Sequence, residues 1–107
     1  MRRVFFDENV PDPLVKAIDS ADIEVSSPGR SGIAGIKNGE LLQFLDTDGW
    51  DIFVTADKNL RYQQSLKDRS VSIVELPTNR LPHLRPMISR IGEAIRSVAA
   101  GEYLILK

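Results

Sequence analysis

Short apolar runs that alternate with helical patterns constrain this chain more than any other feature of its sequence. Four such runs, rich in β-branched and aromatic residues, lie at residues 2–6, 23–25, 51–55 and 71–76. Runs this short and this apolar are typical of strands that are buried on both faces, as in a parallel sheet covered by helices. The sequence therefore predicts an α/β fold, a three-layer α/β/α sandwich with a mostly parallel central sheet.

The segments around these runs carry helix signals. Asp12 is expected to cap a helix whose first residue is Pro13, Asn38 to cap one that ends at about Thr47, and Asp57 to cap one that ends at about Asp68. Apolar residues spaced at 3.6 residues from 84 to 98 predict the longest helix. The Ser- and Gly-rich residues 26–37 predict a loop, and residues 103–106 predict an edge strand.

Length and composition narrow the function classes. We expect residues 1–107 to form a single domain, cytoplasmic and with no membrane segment, because no run approaches the ~20 apolar residues that span a bilayer. The chain has no Cys and one His, His83, which argues against disulfides, sulfur-ligated zinc and most His-dependent hydrolases. Carboxylates remain plentiful, so Mg²⁺ or Mn²⁺ is the metal that this composition favours.

The charge is unevenly distributed along the chain. Residues 1–57 carry five Lys or Arg and eleven Asp or Glu, whereas residues 58–107 carry nine and four. An acidic first half and a basic second half suit metal binding beside a polyanion.

Three carboxylates are predicted to meet at one edge of the sheet. Asp7 directly follows the first strand, Asp57 follows the third, and Glu40 lies in the first turn of the helix that begins at the same edge. Ligands of open parallel sheets bind at the carboxyl ends of the strands. Because converging carboxylates repel each other, a divalent cation is their natural counter-charge. Glu8 is a weaker candidate, since alternate residues of an extended chain point to opposite sides.

Three segments carry a resemblance to a known family. Asp7-Glu8-Asn9-Val10-Pro11, Lys37-Asn38-Gly39-Glu40-Leu41-Leu42 and Val54-Thr55-Ala56-Asp57-Lys58-Asn59-Leu60 resemble, in this order and spacing, a compact bacterial branch of the PIN-like family. The resemblance runs from the first residue to about Leu76. It implies a three-layer α/β/α fold and a metal-dependent ribonuclease, and many members are toxins of toxin–antitoxin pairs.

The resemblance also implies roles for single residues. Asp7, Glu40 and Asp57 would be catalytic and would ligate Mg²⁺ or Mn²⁺, and Thr55 matches a hydroxyl position two residues before the third acidic residue. Asn59 departs from the family, in which many members have a further Asp at this position, and the departure bears on whether a second metal binds. Glu8 and Asn9 complete the set as auxiliary residues.

Basic and aromatic residues near these carboxylates are candidates for RNA binding. Lys58, Arg61 and Tyr62 follow Asp57, and Arg30 and Lys37 lie in the segment before Glu40. The cations would hold phosphates, and the tyrosine would stack on a base. We expect an RNA substrate cleaved by metal-activated water, a small antitoxin protein as partner and, by analogy with the family, a homodimer.

Two other functions stay open at this point. A catalytically degenerate PIN-like module would bind RNA or protein without cleavage, and Asn59 favours this alternative. A receiver-like domain would use Asp7, Glu8 and Asp57 to bind Mg²⁺ and accept a phosphoryl group. Against the receiver, the fourth strand has no hydroxyl residue near its end, and Glu40 would have no role.

Overall fold

Five parallel strands form one sheet in the part of the chain that the computed structural model describes, residues 1–33, 35, 38–62 and 70–107. The order across the sheet is β2-β1-β3-β4-β5. The strands are β1 (Arg2–Phe6), β2 (Ile23–Ser26), β3 (Ile52–Thr55), β4 (Ser72–Glu75) and β5 (Tyr103–Ile105). The predicted parallel sheet is therefore confirmed.

Helices cover both faces of the sheet. They are α1 (Asp12–Ile18), α2 (Pro28–Ser31), α3 (Asn38–Thr47), a 3₁₀ helix (Lys58–Tyr62), α4 (Leu81–Leu84), a 3₁₀ turn (Arg85–Met87) and α5 (Ile88–Ser97). Within the described residues, every helix is too short or too polar to cross a lipid bilayer.

Alternation along the strands divides the interior into two cores. Val4 and Phe6 face a core that includes side chains of α1 and α5, whereas Phe5 faces a second core that includes side chains of α3. The rings of Phe44 and Trp50 pack edge-on against Phe5 in the second core. Both faces of the sheet are thus buried, as the apolar runs require, and the three-layer arrangement is confirmed.

Some boundaries differ from the sequence prediction for local reasons. Residues 26–37 are not entirely loop, because Pro28–Ser31 form the one-turn helix α2, where the Ser27 hydroxyl accepts a hydrogen bond from the Arg30 N–H (3.4 Å). Asp12 is not an N-cap, because Pro11 takes that position and Asp12 is the first helical residue. The Asp12 carboxylate instead pairs with Lys16 (3.4 Å) and Arg30 (3.3 Å).

The longest predicted helix is interrupted. Residues 81–97 form α4, the 3₁₀ turn and α5 in succession, and the 3₁₀ turn contains Pro86. A proline inside a helix has no N–H to donate and collides with the carbonyl four residues earlier, so a regular helix does not continue through it. The apolar period survives the interruption, since Leu84, Ile91 and Ile95 are all buried.

The helix predicted after Asp57 begins as a 3₁₀ helix. Lys58–Tyr62 adopt this tighter form, and Leu60 is its buried anchor. The rest of that predicted helix, with Leu66 and Asp68, lies outside the described residues.

Candidate functional site

The strand order places a crevice between β1 and β3. Within the sheet, β2 lies on one side of β1, and β3, the next strand along the chain, lies on the other side of β1. Such a reversal of strand order is where open α/β sheets bind ligands, outside the carboxyl ends of the strands. Asp7 follows β1 and Asp57 lies two residues beyond β3, so the topology brings both to this crevice.

Asp7 is a buried carboxylate that, in the described part of the chain, accepts hydrogen bonds from neutral groups only. Asp7 is 7% exposed to solvent. Oδ2 accepts hydrogen bonds from the Thr55 hydroxyl (2.8 Å) and the Asn9 amide (3.4 Å), and Oδ1 accepts one from the Glu8 N–H (2.9 Å). No Lys or Arg of the described chain forms an ion pair with it. Its charge therefore has no counter-charge in this part of the protein.

Thr55 links the two predicted metal ligands. Its hydroxyl donates to Asp7 Oδ2 and accepts a hydrogen bond from the Asp57 N–H (3.0 Å). Asn9 makes a second link, because its side-chain oxygen accepts from the Ala56 N–H (3.2 Å) while its amide donates to Asp7. The residues after β1 and those after β3 are thus joined by side-chain hydrogen bonds. Thr55 and Asn9 therefore hold the Asp7 carboxylate in place and tie it to the backbone at Ala56 and Asp57.

Electrostatics at this site oppose ionisation of Asp7. Burial is the main cause that raises the pKa of Asp7, and the negative charges of Asp57 and Glu8 raise it further. The hydrogen bonds from Thr55 and the Glu8 N–H act in the other direction and offset only part of this effect. Thr55, which is hydrogen-bonded to both Asp7 and the Asp57 N–H, links the two segments whose charges interact in this way.

The donor set of this pair fits a hydrated divalent cation. Mg²⁺ is commonly held by one or two carboxylates, and it keeps several waters or takes phosphate oxygens in its other positions. A dication beside Asp7 and Asp57 would stabilise both ionised carboxylates and reverse the effect that now raises the pKa of Asp7. Asp7 and Asp57 would therefore be the protein ligands of such a cation.

The structure does not bring Glu40 into this pair. No three acidic or histidine side chains in the described segments lie close enough together to hold one metal ion. Glu40 is exposed in the first turn of α3 and has no hydrogen bond or ion pair with another described residue. The described residues therefore show no three-carboxylate cluster, and the role of Glu40 as a ligand stays a prediction. Sequence position sets the edge at which a helix begins but does not determine where its side chains point.

Glu8 and Asn59, two of the predicted auxiliary residues, make different contacts. The Glu8 carboxylate accepts a hydrogen bond from the Gly35 N–H (3.3 Å), so it contacts the segment before α3. Asn59 is exposed, and its N–H donates to Asp57 Oδ1 (2.9 Å). This contact is the local side-chain cap expected of an aspartate at the start of a helical turn. Asn59 thereby orients Asp57 through its backbone.

The predicted RNA-binding residues have different surroundings. Lys58 is exposed without an ion pair to the described chain, and Tyr62 is 77% exposed. Arg61 lies about 6.0 Å from the Tyr62 ring and is bound to Glu75. Arg30 is bound to Asp12, which leaves it less suited to a phosphate, and Lys37 lies outside the described residues.

Sequence reasoning did not identify Glu75, which is 1% exposed at the end of β4. Arg61 and Tyr103 both bind its carboxylate. The available signal was a single charged residue in a run predicted to be buried on both faces, since a buried charge requires a partner.

Comparison with known proteins adds no assignment. Neither a protein-family model, nor a curated protein, nor a solved structure matches this chain.

Proposed function

We propose that this chain is a metal-dependent ribonuclease of PIN-like type that uses Mg²⁺ or Mn²⁺ held by Asp7 and Asp57. The observation that carries the proposal is the buried Asp7 carboxylate, which among the described residues has only neutral hydrogen-bond donors and is linked through Thr55 to Asp57. A buried charge without a partner is strongly unfavourable unless a ligand supplies the opposite charge. The resemblance of the surrounding segments to PIN-like nucleases points to RNA as the substrate.

In this proposal, some residues position the two carboxylates and others bind the RNA. Thr55 and Asn9 hold the Asp7 carboxylate, and the Asn59 N–H holds that of Asp57. Lys58 would attract the RNA backbone, and the exposed Tyr62 ring would stack on an unpaired base. A bound divalent cation supplies an acidified water and offsets charge that develops on the phosphate. This chemistry needs no side-chain nucleophile, in keeping with a sequence that lacks Cys and has one His.

The toxin assignment and the partners belong to the same proposal. A cytoplasmic toxin of this type would be neutralised by a small antitoxin protein, and a homodimer is the assembly that the family resemblance implies. Glu40 keeps its predicted role only if α3 presents it to the site when the cation and RNA bind.

Cleavage of single-stranded RNA with and without Mg²⁺ or Mn²⁺ tests the proposal. We expect cleavage that EDTA abolishes and that Asp57→Asn reduces at least about 100-fold, as for the loss of a group that stabilises transition-state charge. Asp19→Asn is the matched control, because Asp19 is exposed directly after α1, away from the crevice. Calorimetric binding of Mn²⁺ without cleavage of any RNA would favour the degenerate binding module instead.

The strand order favours one other candidate. The order β2-β1-β3-β4-β5 is also that of flavodoxin-like and receiver-like domains. In a receiver-like domain Asp57 would accept a phosphoryl group, but β4 ends in Glu75, which is bound to Arg61, where a hydroxyl residue would be needed. Covalent labelling of Asp57 by acetyl phosphate would support the receiver and would contradict the nuclease.

A further inference from the structure

A second charged cluster lies at the same edge of the sheet as the carboxylate pair. The Glu75 carboxylate accepts hydrogen bonds from Arg61 Nε (3.2 Å), Arg61 Nη2 and the Tyr103 hydroxyl (2.7 Å). Burial and the neighbouring Glu75 raise the pKa of Tyr103, so its hydroxyl remains a donor. Three elements, the 3₁₀ helix, β4 and β5, are thereby joined through one buried carboxylate.

This network fixes Arg61 with one side of its guanidinium group turned away from Glu75. The hydrogen bonds to Glu75 use Nε and Nη2, and within the described residues Nη1 has no hydrogen-bond partner. The Arg61 side chain is 32% exposed. A guanidinium group held in this way needs little further ordering to bind an anion, which favours binding.

A cavity of about 500 Å³ opens beside Arg61. Besides Arg61 and Glu75, the basic residues Lys58 and Lys107 line it, so basic residues outnumber acidic ones in its wall. The rest of its wall is apolar and is formed by Pro77, Ile105 and Leu106. Ile105 is 37% exposed and is one of the large apolar residues in the described chain that remain open to solvent. A cavity of this volume, lined by both basic and apolar residues, suits a small amphipathic anion.

The cavity is adjacent to the carboxylate pair. Thr55 of β3 is in register with Glu75 of β4, and Glu75 is in register with Ile105 of β5. Neighbouring strands are about 4.8 Å apart, so the cavity lies one to two strand spacings, about 5–10 Å, from the residues after β3. Lys58 follows Asp57 directly, and it belongs to the cavity wall. A ligand in this cavity would therefore lie beside one held at Asp7 and Asp57.

We propose that this cavity is a subsite for one nucleotide of a single-stranded RNA, next to the phosphate that is cleaved. The nucleotide's phosphate binds Arg61 Nη1 and Lys58, and its base packs on Ile105 and Leu106. Glu75 and Tyr103 act as positioning residues that hold Arg61. The place of this subsite along an RNA substrate rests on the proposed function, whereas nucleotide binding in the cavity does not require cleavage or a metal.

Titration with adenosine 5′-monophosphate in EDTA, followed by ¹H–¹⁵N NMR, tests the subsite in the intact chain. We expect saturable shifts at the Arg61 side-chain Nε–H and at the backbone amides of Lys58 and residues 105–107. Lys58→Gln should weaken binding about tenfold, as for loss of one charged hydrogen bond. Arg85→Gln is the matched control, because Arg85 is exposed in the 3₁₀ turn and does not line the cavity. Both substitutions are at the surface and leave the buried Glu75 network intact.

Inorganic phosphate, used as a second probe, separates a nucleotide site from a phosphate site. Ile105→Ser should weaken binding of the nucleotide about fivefold through loss of apolar contact and leave phosphate binding unchanged. Equal affinities for phosphate and nucleotide in the wild-type chain would overturn the nucleotide subsite. Shifts spread over unrelated surface residues, or no saturation at millimolar nucleotide, would overturn it as well.

The two proposals fail in distinguishable ways. Asp57→Asn should bind adenosine 5′-monophosphate at least as tightly as the wild-type chain, because the cavity wall does not include Asp57 and the substitution removes a nearby negative charge. Metal-dependent RNA cleavage without nucleotide binding in the cavity would overturn the subsite and leave the nuclease standing. Nucleotide binding in the cavity without cleavage of any RNA would support the pocket and overturn the proposed function.

Discussion

Two buried carboxylates lie at the carboxyl edge of the sheet, Asp7 directly after β1 and Glu75 as the last residue of β4. Arg61 pairs with Glu75, and the Tyr103 hydroxyl completes its hydrogen bonds. Within the described residues, Asp7 accepts hydrogen bonds only from a hydroxyl, an amide and a backbone N–H, and Thr55 links it to Asp57. The chain itself neutralises Glu75, whereas Asp7 remains suited to a cation from solution. This difference separates a structural carboxylate from a candidate functional one.

The largest effect that follows from this comparison is on activity. Asp7→Asn should lower metal-dependent RNA cleavage at least about 100-fold, because it removes a charge that would hold the cation and support transition-state stabilisation. The same variant should remain folded, since an amide can occupy the same volume. Cleavage rates at saturating Mg²⁺ and circular dichroism of the same sample provide the measurement. A variant with wild-type activity would show that Asp7 is not a ligand.

Glu75 should show the opposite pattern, a loss of stability. Glu75→Gln removes the ion pair with Arg61, so we expect the free energy of unfolding to fall by about 2 kcal/mol, as for a buried hydrogen bond to a charged group. Tyr103→Phe removes only the neutral donor and should lower the same free energy by about 1 kcal/mol. Urea denaturation of the three proteins measures both. If Glu75→Gln were as stable as wild type, the contrast with Asp7 would disappear.

Glu40 tests where the metal site ends. Since Glu40 is exposed and lies outside the carboxylate pair, Glu40→Gln should reduce cleavage no more than about tenfold, the lower end of the range for residues that support a metal site without direct ligation. Steady-state rates of this variant, compared with those of Asp7→Asn under identical conditions, decide the point. A loss as large as that of Asp7→Asn would mean that α3 moves Glu40 onto the cation in the active complex.

The sequence predicts the sheet and the Asp7–Asp57 pair for the same physical reason. Strands buried on both faces must be apolar, so their ends are readable, and parallel strands bring the residues after them to one edge. The surroundings of Glu40 and Glu75 cannot be predicted from residue spacing alone. The direction of Glu40 depends on how α3 packs, and the partners of Glu75 are 14 and 28 residues away along the chain. Pro86 is a sequence signal for a break in the helix. The apolar period of residues 84–98 continues past it, however, and predicts one uninterrupted helix.

The pH dependence of stability should distinguish Asp7 from an aspartate with a counter-charge. Because the pKa of Asp7 is raised in the folded chain, ionised Asp7 opposes folding above that pKa. This unfavourable contribution fades as the pH falls through the folded pKa toward the ordinary value for aspartate. The free energy of unfolding of Asp7→Asn minus that of wild type should therefore be larger at neutral pH than in acid.

Asp22 provides the control of opposite sign for this titration. Hydrogen bonds from Arg96 and Ser20 lower the pKa of Asp22, so its favourable contribution is present above the ordinary value and is lost as the pH falls through the lowered one. Relative to wild type, Asp22→Asn should thus be less stable at neutral pH, with the deficit shrinking in acid. Thermal unfolding from neutral pH to acid, in EDTA, compares the three proteins. Parallel pH profiles for both variants would mean that Asp7 is paired with a counter-charge in solution, and the case for a cation site there would fail.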